Sequence, residues 1–123
     1  MSWWQARRAS FGHAGRGIAR MLREEPNARI HFAATLAVIV LAAWLRVSPI
    51  GAALLAFAIA LVFTAEAINT ALETLSDRLS PEQDAAIGRA KDLAAGAVLV
   101  SACGAAVVGL LVLGPPLLRR ILA

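Results

Sequence analysis

Four polar residues in the segment EAINTALETLSD recur with the period of a helix. At about 100° per residue, Glu66, Asn69, Glu73 and Asp77 fall near 0°, 300°, 340° and 20°, one stripe on a helix whose other faces carry Ala, Ile and Leu. Lys91 stands at the other end of the loop that follows. Carboxylates gathered beside a basic residue suit a hard cation that also holds a polyphosphate. Magnesium takes oxygen ligands, typically one or two carboxylates plus substrate phosphates, and a compact ammonium suits phosphate oxygens.

The stripe follows directly on a 15-residue apolar run that begins at Gly51. Glu66 and Asn69 therefore sit at or just inside a membrane boundary, where ionisable groups are expensive beside lipid and usually face a protein interior or a wet cavity. Two plainer readings compete. The stripe could be the solvated end of a helix projecting from the membrane, which fits Asp77 best, or Asn69 and Glu73 could serve only in packing between helices. The second leaves the convergence of uncompensated carboxylates unexplained.

The elements that carry these residues can be read from the distribution of charge. The chain has 123 residues, 59% of them hydrophobic and only 16% charged, a membrane composition. Val47 to Ala65 is a run of 19 residues without Asp, Glu, Lys, Arg or His, and Leu93 to Leu118 is a run of 26. Each can cross a hydrocarbon layer about 30 Å thick as a helix. A third stretch, Ile30 to Leu45, contains only His31 and spans if its helix extends back through Asn27 to Arg29.

The residues before that stretch are Arg-rich, interleaved with Trp and Phe and followed by no small-residue cleavage site, so they do not read as a signal peptide. Phe11, Gly15, Ile18 and Leu22 recur at helical spacing, with Arg16, Arg20 and Arg23 on another face. This predicts an amphipathic helix lying in the interface with Trp3 and Trp4 as headgroup-level anchors, or simply a surface anchor. Glu24-Glu25-Pro26-Asn27 interrupts it and permits a new helix start. Arg46-Val47-Ser48-Pro49 is a short connection with Pro49 in the first turn of the next helix. Ser80 as N-cap and Pro81 as first helical residue predict a short helix that leads into the last span. The resulting units are a surface helix over 1–25 and helices over 27–46, 49–78 and 86–118, in a single domain over 1–123.

Nine of the twelve basic residues lie before the first span or between the second and third, and Arg46, Arg119 and Arg120 lie on the other side. The positive-inside bias places the larger group, together with all eight carboxylates, in the cytoplasm. The net charge of +4 is thus no general basic surface, and nucleic-acid binding is a poor explanation of it. Cys103, the one cysteine, excludes an intrachain disulfide and a cysteine-based metal site, and its place in the last apolar run predicts a small buried side chain. No GxxxxGK loop and no kinase-type glycine loop occurs, and the GxxGxG spacing of Gly12, Gly15 and Gly17 is weak by itself.

The blocks SFGHAGRGI from Ser10, EEPNARIH from Glu24, EAINTALETLSD from Glu66 and GRAKDLAAGAVLV from Gly88 resemble the small bacterial diacylglycerol kinase family, which includes the undecaprenol kinases. The match runs in the family's order over nearly the whole chain. The resemblance implies an all-α membrane fold of three spans and an N-terminal interfacial helix, assembled as a homotrimer whose active sites are shared between subunits at the cytoplasmic face of the bacterial inner membrane. It implies ATP as phosphoryl donor, Mg2+, and a membrane lipid alcohol, diacylglycerol or undecaprenol, as acceptor. By the same resemblance Glu66 is the general base, Glu25 and Glu73 bind the metal, and the nucleotide is met by His13, Glu25, Glu73, Glu82, Gln83, Asp84, Lys91 and Asp92. Asn69, Arg29, Trp44 and Ala95 match residues that support the substrate or the site.

Phosphoryl transfer is mostly positioning and charge neutralisation, with one residue orienting the attacking hydroxyl, so these residue types suit it. The chain departs from the family pattern at several points. His31 and the SFxxAxxG arrangement look more like the undecaprenol kinase branch, Glu82-Gln83-Asp84 lacks the usual aromatic and histidine, and Ala6 replaces an arginine for which Arg7 or Arg8 could substitute. A non-catalytic oligomer using rings of Glu66 and Glu73 to bind or conduct cations is the alternative reading. It accounts for neither Lys91-Asp92 nor Glu25, and a peripheral anchor for a soluble partner leaves the whole stripe unexplained. Oligomerisation is also expected because one small bundle offers the stripe little shelter.

Overall fold

The computed structural model describes residues 1–79 and 84–123. Among them every regular element is a helix: α1 Trp3–Glu24, α2 Pro26–Leu45, α3 Pro49–Leu79 and α4 Ala85–Leu122. The last three are long and apolar enough to cross a membrane. The chain is an all-helical membrane protein of three spans preceded by an amphipathic helix.

Local chemistry sets the boundaries. Ser2 opens α1 with a capping box: its Oγ accepts the Gln5 amide at 3.3 Å, and its own amide donates to Gln5 Oε1 at 2.8 Å. The ring of Pro26 disfavours helical backbone at the residue before it, so Glu25 is extended at φ −100° and ψ 114°, and Pro26 then starts α2. A single residue thus separates the surface helix from the first span. At the other end of α2, Arg46 takes the left-handed conformation at φ 51° and ψ 52° while its amide donates to the carbonyls of Ala42 and Ala43. Ser48 Oγ accepts the Gly51 amide at 3.1 Å and caps α3, with Pro49 in its first turn.

The expected cap at Ser80 and helix start at Pro81 lie outside the described residues. Asp84 instead caps α4, its Oδ1 accepting the amides of Ala86 at 2.7 Å and Ile87 at 3.4 Å. The helix that enters the last span and the span itself are one continuous element. Pro115 and Pro116 lie inside α4 and lack amide hydrogens, so the carbonyls four residues earlier lose their helical partners, yet the helix runs on to Leu122.

The most extensive contact is between α3 and α4. It is tight where the helices start and end, because a Cβ at Gly51 would stand 3.0 Å from Val112 Cγ1. Leu45, Leu55 and Leu113 form the buried core at this end, supported by Leu41, Val108 and Leu117. At the opposite end α1 touches both α2 and α3, and Met21 and Ala28 are buried there. Large side chains such as Phe57 (73% exposed) and Leu110 (72%) face outward, an arrangement that a hydrocarbon solvent tolerates because lipid tails are as apolar as leucine. Cys103 corrects an expectation: it is exposed on the chain, since α4 packs extensively on α3 and only slightly on α2 and leaves much of its surface open.

Candidate active site

Glu66 lies seventeen residues beyond Pro49 on α3, and the antiparallel α2 brings Ala28 to the same level. Its side chain is only 2% exposed, making it the largest fully buried side chain among the described residues. One chain buries this carboxyl because α1 and α2 close over α3 at this level, whereas further along the stripe Glu73 is half-buried and Asp77 exposed. Glu66 Oε2 has no hydrogen-bond partner. A buried acceptor left in that condition costs about 1–3 kcal/mol, more when charged. Glu25, His31 and Glu73 all lie within electrostatic range of this carboxyl.

The remainder of the stripe is organised around it. Asn69 Nδ2 donates to Glu73 Oε1 at 3.3 Å, which orients one oxygen of a half-buried carboxylate. Asn69 Oδ1 and Thr70 Oγ1, one turn further along α3, are buried and unpartnered as well. Thr70 is a residue that sequence reasoning missed. It stands four positions after Glu66, at about 40° on the same helical wheel, and its hydroxyl could have been placed on the stripe by that spacing.

Asp77 is exposed, as a solvated helix end would be, and accepts a hydrogen bond from Lys91 Nζ at Oδ1, 2.9 Å away, across the α3–α4 connection. Glu25, at the joint between α1 and α2, is half-buried and makes no side-chain bond to the amides of α2. Its carbonyl accepts the Arg29 amide at 3.3 Å, and the Arg29 side chain is exposed one turn into α2. His31 is half-buried and opens a cavity of about 460 Å³ that continues between α2, α3 and α4 past Thr35, Ala58 and Val62.

Other expected residues stand apart from Glu66. Asp92 is exposed and borders, with Arg89, a wide groove of about 1060 Å³ along α3 and α4. Ala95 is exposed one turn beyond Lys91. One oxygen of Asp84 is engaged in capping α4. His13 is exposed on α1, with Nδ1 in contact with the Arg16 guanidinium at 2.8 Å. Trp44 lies sixteen residues along α2 from Ala28, about 24 Å from the level of Glu66, where Arg120 stacks over its ring at 4.8 Å. Glu82 and Gln83 lie outside the described residues.

No group of three or more His, Cys, Asp or Glu among the described residues is arranged to hold a metal by itself. Glu25 and Glu73 each act electrostatically on Glu66, and carboxylate oxygens are the hard donors that a magnesium ion completed by substrate phosphates accepts. The family model described as prokaryotic diacylglycerol kinase matches residues 12–113. The chain belongs to the prokaryotic diacylglycerol kinase family.

Among its relatives in that family, the undecaprenol kinase of Bacillus subtilis is 38% identical over 108 residues, which cover 88% of each chain. A diacylglycerol kinase of Synechocystis is 40% identical over 110 residues, 89% of this chain and 63% of that protein, so this chain spans under two thirds of that relative's length. The diacylglycerol kinase of Escherichia coli K12 is 34% identical over 90 residues, 73% of this chain and 74% of that one. Relatives named for two different lipids thus flank this chain at similar identity, and the buried constellation lies within the matched region.

Proposed function

We propose that this chain is a lipid kinase that transfers the terminal phosphoryl group of ATP to the hydroxyl of a membrane lipid alcohol of the diacylglycerol or undecaprenol class. The observation that carries the reading is the buried, unpartnered Oε2 of Glu66 at the membrane boundary. In this reading Oε2 accepts the proton of the lipid hydroxyl as the hydroxyl oxygen attacks the terminal phosphorus and the bond to the leaving ADP breaks. A base aimed at a hydroxyl needs a free lone pair within hydrogen-bond reach, and this oxygen has one. The amide of Asn69 holds Glu73 in position, and Thr70 offers a hydroxyl beside the reacting lipid group.

Glu25 and Glu73 would hold the magnesium ion of the nucleotide, which when bound neutralises charge on the phosphates. Lys91 exchanges its exposed bond to Asp77 for phosphate oxygens, a change made cheap by the small net worth of solvent-exposed ion pairs. Arg29, Asp92, Ala95, His13, Asp84 and the segment holding Glu82 and Gln83 belong to the nucleotide and substrate surroundings in this reading. Several of them lie at a distance from Glu66 within one chain. A homotrimer that brings α4 of a neighbour to each site accounts for that separation, and the exposed faces of α4 support it. The charge distribution supports a site at the cytoplasmic face of the bacterial inner membrane.

The cation-ring alternative is disfavoured by the burial of Glu66 within one chain, since a conducting ring presents its carboxylates to a shared lumen. The deciding experiment incubates the purified protein in mixed micelles with labelled ATP, magnesium and either diacylglycerol or undecaprenol. Magnesium-dependent label in the lipid fraction is the expected result, and its absence with both lipids would remove the proposal. The ratio of kcat/KM for the two acceptors assigns the substrate.

A further inference from the structure

The end of the bundle opposite Glu66 carries a second polar feature that phosphoryl transfer leaves unused. A cavity of about 450 Å³ opens there between the α2–α3 connection and the last turns of α4. Arg46 and Arg119 border it beside Ser48, while Gly51, Val112 and Pro115 supply its apolar side. Arg120 stands beside it, stacked on Trp44. All three arginines are exposed, and no Asp or Glu of the described residues lies at this end. Every described carboxylate falls near the α1–α2 joint, on the second half of α3 or at the start of α4.

Helix ends explain part of this arrangement. Arg46 caps the C-terminus of α2, and Arg119 and Arg120 occupy the last turn of α4, where cations offset the partial negative charge of the terminal carbonyls. The offset is incomplete. Two helix C-termini supply roughly half a negative charge each, and the N-terminus of α3 adds roughly half a positive one, against three full positive charges. A positive surplus remains around a cavity that opens at the membrane surface. The Ser48 hydroxyl accepts the Gly51 amide and retains its own hydrogen to donate.

We propose that this cavity binds the phosphate headgroup of an anionic phospholipid. Arginine guanidinium groups match phosphate oxygens in pairs, the Ser48 hydroxyl is a further donor, and the apolar wall formed by Val112 and Pro115 takes the first methylenes of the tails. Basic pockets between transmembrane helices hold lipid headgroups in this manner at cytoplasmic and matrix faces, and the same pairing of cation with phosphate is available at this end. Headgroup binding here clamps the α2–α3 connection to the end of α4, and it involves none of the residues assigned to phosphoryl transfer.

The test is native mass spectrometry of the purified full-length protein in a neutral detergent, titrated with phosphatidylglycerol or with phosphatidylcholine. Retention of phosphatidylglycerol in preference to phosphatidylcholine is expected, and high salt should weaken it. Arg46→Gln and Arg119→Gln should each weaken retention roughly fivefold, whereas Arg20→Gln with Arg23→Gln, at the other end of the molecule, should leave it unchanged. Arg119→Lys separates charge from geometry and is expected to retain lipid at an intermediate level. Thermal unfolding in lipid-free detergent should be the same for all variants, and Arg119→Gln, at a helix end, gives the reading alone if Arg46→Gln alters the fold. Equal retention of the two lipids, or equal loss in the Arg20/Arg23 variant, would overturn the proposal. Displacement of the lipid by millimolar inorganic phosphate would assign the cavity to a free anion and overturn the lipid assignment.

Discussion

Lys91 Nζ donates to Asp77 Oδ1 at 2.9 Å, and this bond joins the end of α3 to the beginning of α4 on the side of the chain that carries the buried carboxyl. Fourteen residues separate the two in sequence, so the bond spans the connection between the helices. Both partners are solvent-accessible, and a competing phosphate can take the lysine. The pair therefore sets the resting position of the ammonium that the proposed function assigns to phosphate.

Asp77→Asn should leave the thermal midpoint unchanged within error, because an exposed pair contributes little. The released lysine then meets nucleotide without a competitor, and KM for ATP should fall or stay level. Lys91→Met should raise that KM while leaving the lipid KM alone. Steady-state kinetics with each substrate varied in turn checks both, and a rise in lipid KM for Lys91→Met would contradict the assignment.

Glu66→Gln retains the size and much of the hydrogen-bonding capacity of the side chain and removes the base. Turnover should fall roughly 10²- to 10⁴-fold with nucleotide binding preserved. The variant should be at least as stable to heat as the parent, since a buried unpaired carboxylate has been replaced by a neutral group. Lower activity accompanied by a lower thermal midpoint would point to a structural role instead.

Glu25→Gln and Glu73→Gln should each weaken magnesium-dependent ATP binding without unfolding the protein, since each removes a charged oxygen from a divalent cation. Nucleotide titrations at several magnesium concentrations read the effect. Unchanged affinity in both variants would remove these two residues as metal ligands.

Gly51→Val should destabilise by about 1–3 kcal/mol, because its Cβ would meet Val112 Cγ1 at 3.0 Å in the contact between α3 and α4. Combining it with Val112→Ala should recover part of the loss. Thermal unfolding of the four proteins in one detergent gives the coupling, and strictly additive effects would mean that the contact is not the cause.

Orientation can be measured in a background lacking Cys103. Arg78→Cys should react with a membrane-impermeant reagent from the cytoplasmic side, and Ser48→Cys from the opposite side, as the placement of basic residues requires. Labelling of intact cells in the reverse pattern would invert the topology.

Much of this organisation was legible before any coordinates. The 3.6-residue period placed Glu66, Asn69, Glu73 and Asp77 on one face, and Pro26 and Pro49 marked helix starts because proline restricts the backbone at and before itself. Tertiary facts were not legible. Nothing local to Lys91 or Asp77 says that they pair, since the partner lies on another helix. The burial of Glu66 depends on α1 and α2 folding over it, which no window of the sequence records. Thr70 escaped notice because threonine in a helix interior is common and its hydroxyl usually bonds the preceding turn, as those of Thr64 and Thr74 do here. Cys103 was expected inside because small apolar residues are usually buried in water-soluble folds, and that habit does not carry over to a helix surrounded by lipid.

The one-residue joint at Glu25 has a consequence for tolerance to changes in length. Because α1 runs unbroken into a single extended residue and then into Pro26, α1 meets the rest of the molecule in one rotational setting. An alanine inserted between Arg20 and Met21 would turn everything before it by about 100° and advance it by about 1.5 Å. Phe11 and Ile18 would leave the side they now occupy, and arginines would swing toward the hydrocarbon. Substitutions on the exposed face of α1 change one side chain at a time, whereas this insertion misaligns the whole helix. The length of α1 between Phe11 and Glu25 is thus more constrained than the identity of most residues within it.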